Sequence, residues 1–230
     1  MNRRASLPGV DALFGSSDPA HLHEPDDPSD APQRPGLQAI VAESDAVRSV
    51  RAGLPADVPA PDPTVTALLR WLVATCLAHT VVEIGSAGGV SGAVLLEAMP
   101  ERAVLTSIEP DAHAHGVATA AYRTVGAGSR VRSIHGEPEA VLPRLSDGGY
   151  DLVLWQTGVT DADDARSHAA RLLRDGGVLV ARGLVADGAG RTQAEALVSG
   201  LLDDETFEVA VLPVDGGVVL STRRGPDGPT

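Results

Sequence analysis

The chain has 230 residues, 43% of them hydrophobic, which is enough to bury one sizeable α/β core and short for two. A formal net charge of −13 without any basic stripe repels polyanions, so nucleic acid and anionic membrane surfaces are poor partners. All 18 basic residues are arginine, which removes lysine as a general base or Schiff-base former, and the single cysteine, Cys76, excludes an internal disulfide or a Cys-based zinc site.

Residues 1–36 carry Pro8, Pro19, Pro25, Pro28, Pro32 and Pro35 among Asp, Ser and Gly, a composition that buries too little to offset its ordering entropy and predicts a disordered tail. His21 and His23 in that tail form an H-x-H pair that either touches a metal or is simply solvated. Arg3 and Arg4 are not followed by an apolar h-region, and no run approaches the ~18 apolar residues of a membrane helix. A soluble cytoplasmic protein is the expectation.

The folded domain is expected over 37–223, with N-terminal helices in 37–79, a core in 80–223 and a flexible end over 224–230. Leu37, Ile40, Val41 and Val47 recur at helical spacing up to about residue 51. After a Pro-rich connector, Asp62 reads as an N-cap with Pro63 at the first helical position, and Val65, Leu68, Leu69, Leu72 and Cys76 make one face of a helix through Ala78. The pattern then alternates: strand 80–84, helix 90–99, strand 103–109, helix 111–125, strand 131–135, helix 138–145, strand 150–156, helix 161–173, strand 177–182 and helix 191–202. Strands 207–213 and 217–222 close the series, joined by a hairpin-like VDGG. Apolar strands alternating with helices predict βαβ units: a Rossmann-like, seven-stranded, mostly parallel sheet with helices on both faces and an antiparallel last strand.

In such a sheet ligands bind beyond the C-terminal strand ends at the switch point. The first of those loops reads EIGSAGGVS, Glu83 to Ser91. Gly85 and Gly88 allow a tight turn and close backbone approach, Gly89 allows close packing of loop and helix, and the helix N-terminus that follows offers N–H groups to an anion. The NAD fingerprint needs glycines where Ala87 and Val90 stand, and no G-K-S/T is present, so a nucleotide-binding reductase fits the sheet but not the loop. A purely structural βα turn is the plain alternative. Glu109 ends the second strand, where a carboxylate can accept both hydroxyls of a ribose, and Glu137 follows the third, where an acid can meet an adenine edge. An acid at a strand end can equally be a solvated cap, but three such features in order favour a ligand.

From about Asp62 to Arg223 the chain resembles the catechol O-methyltransferase-like family of small-molecule O-methyltransferases, particularly its actinobacterial members. The family's E-I-G-T-x-x-G-x-S loop is matched by Glu83, Ile84, Gly85, Ser86, Gly89 and Ser91, and later elements follow in EAVLPRL, YDLVLW and RLLRDGGVLV. The resemblance implies S-adenosylmethionine (SAM) as cofactor. Gly85 and Ser86 would line the methionine, Ser91 would hold its carboxylate, and Glu83 would organise the loop beside its amino group. Glu109 would take the ribose and Gly136-Glu137 the adenine. The reaction side departs from the family: where its metal-dependent members end strands four and five with F-I-D-x-D-K and D-N, this chain has Gln156, Thr157, Gly158 and Val159, then Arg182 and Gly183. None is an anionic oxygen donor, so no metal ligand is expected. Asp161, Asp163 and Asp164 read as the polar first turn of the next helix.

The expected function is methyl transfer to a small-molecule acceptor without a divalent metal, with Gln156 and Arg182 on the acceptor side. Arg182 would attract an anionic acceptor or else pair with an acid such as Asp161 or Asp187. The alternative is a catalytically inactive SAM or S-adenosylhomocysteine (SAH) binder, acting as sensor or interaction module. No histidine is placed against an acceptor, so no catalytic residue is assigned; Trp155 is a candidate wall for a planar acceptor or a core residue, and a homodimer is compatible with the sequence.

Overall fold

A computed structural model describes residues 43–56, 58, 60–156, 161–183 and 189–225, with the backbone alone at 189–191. The expected tail over 1–36, its histidine pair, Leu37, Ile40 and Val41 lie outside the described residues. Helix α1 spans Asp45–Ala52 and starts at a definite cap, because Ser44 Oγ accepts the Val47 N–H at 3.1 Å. Helix α2, Pro63–Cys76, opens as expected on Asp62, whose Oδ1 accepts from the Thr64 N–H at 2.7 Å.

The alternating series follows as β1 Thr80–Ile84, α3 Val90–Ala98, β2 Val104–Glu109, α4 Ala112–Thr124 and β3 Val131–His135. It continues with α5 Pro138–Val141, β4 Tyr150–Trp155, α6 Ala162–Leu172, β5 Leu173–Arg182, α7 Ala189–Asp203, β6 Phe207–Leu212 and β7 Val218–Arg223. The sheet order is β3-β2-β1-β4-β5-β7-β6; β7 is antiparallel to both neighbours and all other adjacent pairs are parallel. The antiparallel strand thus comes last in the chain but sits inside the sheet, and β6 forms the edge.

Most boundaries lie within two residues of the sequence expectation, and three differ by more. The first helix, whose pattern begins at Leu37, starts only at Asp45 behind the Ser44 cap. The helix expected over 138–145 ends its α portion at Val141 and finishes as a 3₁₀ turn, Leu142–Arg144, since Pro143 has no N–H for the α ladder. The strand expected at 177 begins at Leu173, whose extended backbone pairs with Tyr150 before a register shift at Leu152–Val178. Arg174 to Gly177 is therefore an irregular strand entrance and not a free turn.

Side chains alternate across the sheet into two cores. Val81 and Leu105 face α1 to α4, whereas Val82, Ile84 and Ile108 face α6, α7 and the α5 segment. By the same alternation Glu83, one residue short of the end of β1, and Ser107, two short of the end of β2, share the α3/α4 side with Val81 and Leu105. No helix among the described residues is long and apolar enough to cross a membrane.

Candidate functional site

Gly85 leaves β1 with its N–H donated to the Ile108 carbonyl at 2.8 Å, which steers the loop toward β2. Gly88 (φ 69°) and Gly89 (φ 87°) then hold left-handed backbone. A Cβ on Gly89 would stand 2.7 Å from Ala121 Cβ and 2.9 Å from Ala118 Cα, so the loop rests directly on α4. A Cβ on Gly88 would meet Leu54 Cδ2 at 2.4 Å, placing the connector after α1 over the loop.

Two buried carboxylates anchor this loop. Glu109, only 6% exposed, accepts the Ser86 N–H at 2.8 Å and the Ser86 hydroxyl at 2.7 Å on Oε2, and the Asp111 N–H at 3.1 Å on Oε1. Oε1 keeps acceptor capacity for a further donor. Glu137 is exposed just past β3, beside Gly136, whose N–H bonds the Glu109 carbonyl at 3.0 Å.

Glu83 is fully buried. Its Oε1 accepts from Ser91 Oγ at 2.6 Å and from Gln156 Nε2 at 3.0 Å. Its Oε2 lies 2.8 Å from both Ser107 Oγ and Tyr122 OH, which are themselves 2.8 Å apart. Both hydroxyls can donate to Oε2, and either can instead donate to the other. Burial pushes the Glu83 carboxyl up to about 7 against the opposing pull of the Ser91, Ser107 and Tyr122 hydrogen bonds, and the Glu109 charge adds to the rise. The same burial and the Glu83 charge hold the Tyr122 phenol well above its ordinary value.

Gln156 bridges from β4. Its Nε2 also donates to the Gly85 carbonyl at 2.9 Å and meets Ser91 Oγ at 2.7 Å, while its Oε1 accepts from Arg182 Nη1 at 3.1 Å. Arg182 is 7% exposed and pairs with Asp215, on the β6–β7 hairpin, through Nη2 at 2.8 Å and Nε at 3.1 Å. Arg182 thus does pair with an acid, and that acid is Asp215 rather than the candidate Asp161. Asp161 caps α6, its Oδ1 accepting the Asp164 N–H at 2.9 Å, and Asp187, like residues 157–159, lies outside the described residues.

Glu83, Gly85, Ser86, Gly88, Ser91, Glu109 and Gln156 therefore meet at one end of β1, β2 and β4, with Arg182 adjoining on β5 and Glu137 on the rim. Trp155 packs into the core facing α6, its indole N–H without a partner among the described residues, which is the core alternative for that residue. Four histidines engage local partners: His79 Nδ1 the Leu77 carbonyl, His115 Nε2 Ser133, His135 Nε2 the Pro110 carbonyl, and His168 Asp164. Cys76 is half-buried and burial raises its thiol, which keeps it inert.

Four participants escaped the sequence reading: Ser107, Tyr122, Gly92 and Asp215. A Cβ on Gly92 would come 2.5 Å from Tyr122 Cε1 and 3.0 Å from Glu83 Oε2. Ser107 left one trace, a small polar residue at the apolar end of a central strand, and Tyr122 is one of only two tyrosines.

This strand order, with a glycine-bent loop after β1 and buried acids on β1 and at the end of β2, defines a class I, Rossmann-like methyltransferase fold. A family model described as a methyltransferase domain matches residues 82–181. A Mycobacterium tuberculosis protein named "Probable O-methyltransferase" is 36% identical over 171 residues, covering 70% of this chain and 76% of its own. A relative from Mycobacterium marinum, also named as an O-methyltransferase, is 32% identical over 223 residues, 88% of this chain and all of its own. The chain belongs to this O-methyltransferase family. Among solved structures, the O-methyltransferase TomG of Streptomyces achromogenes, crystallised with SAM, aligns at a TM-score of 0.71 and 22% identity over 82% of this chain and 93% of its own. A Corynebacterium glutamicum protein aligns at 0.72 and 28% over 82% and 96%.

Proposed function

We propose that the protein transfers the methyl group of SAM to an oxygen of a small-molecule acceptor, and that it does so without a divalent metal. The observation that carries the cofactor is the pair of buried carboxylates flanking one glycine loop: Glu109 fixes Ser86 and keeps a free acceptor position for a ribose hydroxyl, and Glu83 lies beneath Ser91. Glu137 on the rim is the candidate at the adenine edge. TomG, which shares this fold, was crystallised with SAM, and this supports SAM as the cofactor. When bound, SAM would supply a sulfonium-activated methyl for in-line displacement by the acceptor oxygen, the C–S bond breaking to leave SAH and the acceptor's proton passing to water. The chain's part is to hold the two reactants in line.

The metal-free reading rests on donor chemistry. A hard divalent cation needs several anionic oxygens, whereas among the described residues the relevant position offers one amide oxygen, already accepting from a guanidinium, beside the Arg182 cation. Arg182 is neutralised by Asp215 and turned inward, which favours a neutral or phenolic acceptor over a carboxylate. The same inward commitment of Gln156 and Arg182, with no base assigned, is what would suit an inactive SAH binder, the second reading.

The test is calorimetry with SAM and SAH, followed by turnover on neutral, catecholic and carboxylate acceptors with and without EDTA. The expected result is SAH binding and turnover indifferent to EDTA. Magnesium-restored turnover would refute the metal-free reading, and SAH binding with no turnover on a broad panel would favour the binder.

A further inference from the structure

We propose that Asp215, on the hairpin between β6 and β7, is a positioning residue for the cofactor loop, acting through Arg182 and Gln156. The inference rests on the reading that this loop holds SAM. The two ends of a glutamine amide have the same shape and opposite hydrogen-bonding character, so which end faces Glu83 decides whether the loop is held or repelled. Arginine has donors only, and Arg182 Nη1 at 3.1 Å fixes the Gln156 oxygen on its own side. Nε2 is thereby turned to the Gly85 carbonyl, Ser91 Oγ and Glu83 Oε1 at 2.9, 2.7 and 3.0 Å. With the amide reversed, its oxygen would stand 2.9 Å from the Gly85 carbonyl, two acceptors in contact.

Arg182 in turn is held by Asp215, whose Oδ2 accepts from Nη2 and Nε and also faces the Asp62 N–H at 3.3 Å, at the start of α2. Asp215 adopts left-handed backbone at φ 50°, a conformation costly for a residue with a side chain, on a hairpin whose Gly216 and Gly217 are left-handed too. The strained turn aims one carboxylate at the one buried cation that bonds Gln156.

Charge gives this relay a signature that simple packing lacks. Around Glu83 stand Ser91 from α3, Ser107 and Glu109 from β2, Tyr122 from α4 and Gln156 after β4; the cation reached through Gln156 is Arg182, compensated by Asp215. Removing the Asp215 charge takes from Arg182 the acid it pairs with among the described residues and favours the ionised form of Glu83.

The test is SAH calorimetry across pH 6 to 8.5 on the full chain, as wild type, Asp215→Asn and the double variant Asp215→Asn/Arg182→Met. The wild type is expected to bind more tightly as pH rises through the Glu83 ionisation. Asp215→Asn should weaken binding about five- to twenty-fold at pH 8, part of the loss of a charge-assisted hydrogen bond because it reaches the loop through two side chains, and should move the inflection to lower pH. The double variant carries neither charge, so its inflection should return toward the wild-type position while binding stays weak, because Gln156 has lost its donor. Wild-type affinity with an unmoved inflection in Asp215→Asn overturns the proposal; if that variant does not fold, wild-type affinity in the double variant overturns it equally. Absence of SAH binding by the wild type instead sinks the cofactor reading, and this inference with it.

Discussion

Glu83 places an ionisable group at the centre of a fully buried cluster, and its carboxyl, raised from 4.5 to about 7, binds a proton more tightly folded than unfolded. Between these values the folded state carries the extra proton, so the contribution to stability is complete below about pH 4.5 and is lost as pH rises through 7. The full shift corresponds to about 3 kcal/mol. Glu43, Asp62, Asp151 and Asp204, all held below their ordinary values, act in the opposite sense and only below about pH 4.5. Melting curves from pH 5 to 8 should therefore show the wild type losing stability with rising pH and Glu83→Gln running flatter; parallel curves would remove Glu83 as the source. At the neighbouring acid, Glu109→Ala releases both Ser86 donors and the proposed ribose contact. SAH affinity should fall by roughly 10- to 100-fold, as for loss of a charged acceptor worth about 1.5–3 kcal/mol, and wild-type affinity in a titration would sink the ribose assignment.

At the scale of elements, the loop is built onto α4. Gly89→Ala introduces a methyl 2.9 Å from backbone at Ala118 and forces a φ of 87° on alanine, so a loss of about 2–4 kcal/mol is expected from strain and overpacking together. Gly116→Ala, on the same helix with nothing within 4 Å of the added carbon, should instead gain about 0.5–1 kcal/mol. Chemical denaturation of the two variants checks the contrast, and equal effects would mean that the loop does not bear on α4. Element order, the glycine loop and the Asp62 cap were legible because each depends on a short stretch of sequence. The Glu83 cluster was not, since Ser107 and Tyr122 reach it from the next strand and the next helix, and their meeting depends on which face of β1 each packs against. Asp215 was hidden for a different reason: D-G-G reads as turn chemistry, and nothing local reveals that the sheet folds this turn back beside β5. The early start of β5 was likewise set by its partner, Tyr150, against the helical pattern preceding Leu173.

Taken as a whole, the described chain keeps its candidate site at one end of the sheet and its bulk apolar packing on two faces. The composition of residues 1–36 gives them little to bury, so a chain beginning at Leu37 is expected to melt within a few degrees of the full protein. A drop of ten degrees or more in a thermal scan would mean that the segment docks on the core or on another subunit.

The interior place of β7 bears on how the chain is made. During synthesis β6 leaves the ribosome before β7, yet in the sheet β6 pairs only with β7, and β5 waits for β7 on its open side. A nascent chain halted near residue 214 would carry a five-stranded parallel sheet with a bare edge, an unpartnered sixth strand and Arg182 without its counter-ion. The site and the sheet would then be completed in one late event, when the last strand slides between two that are already there.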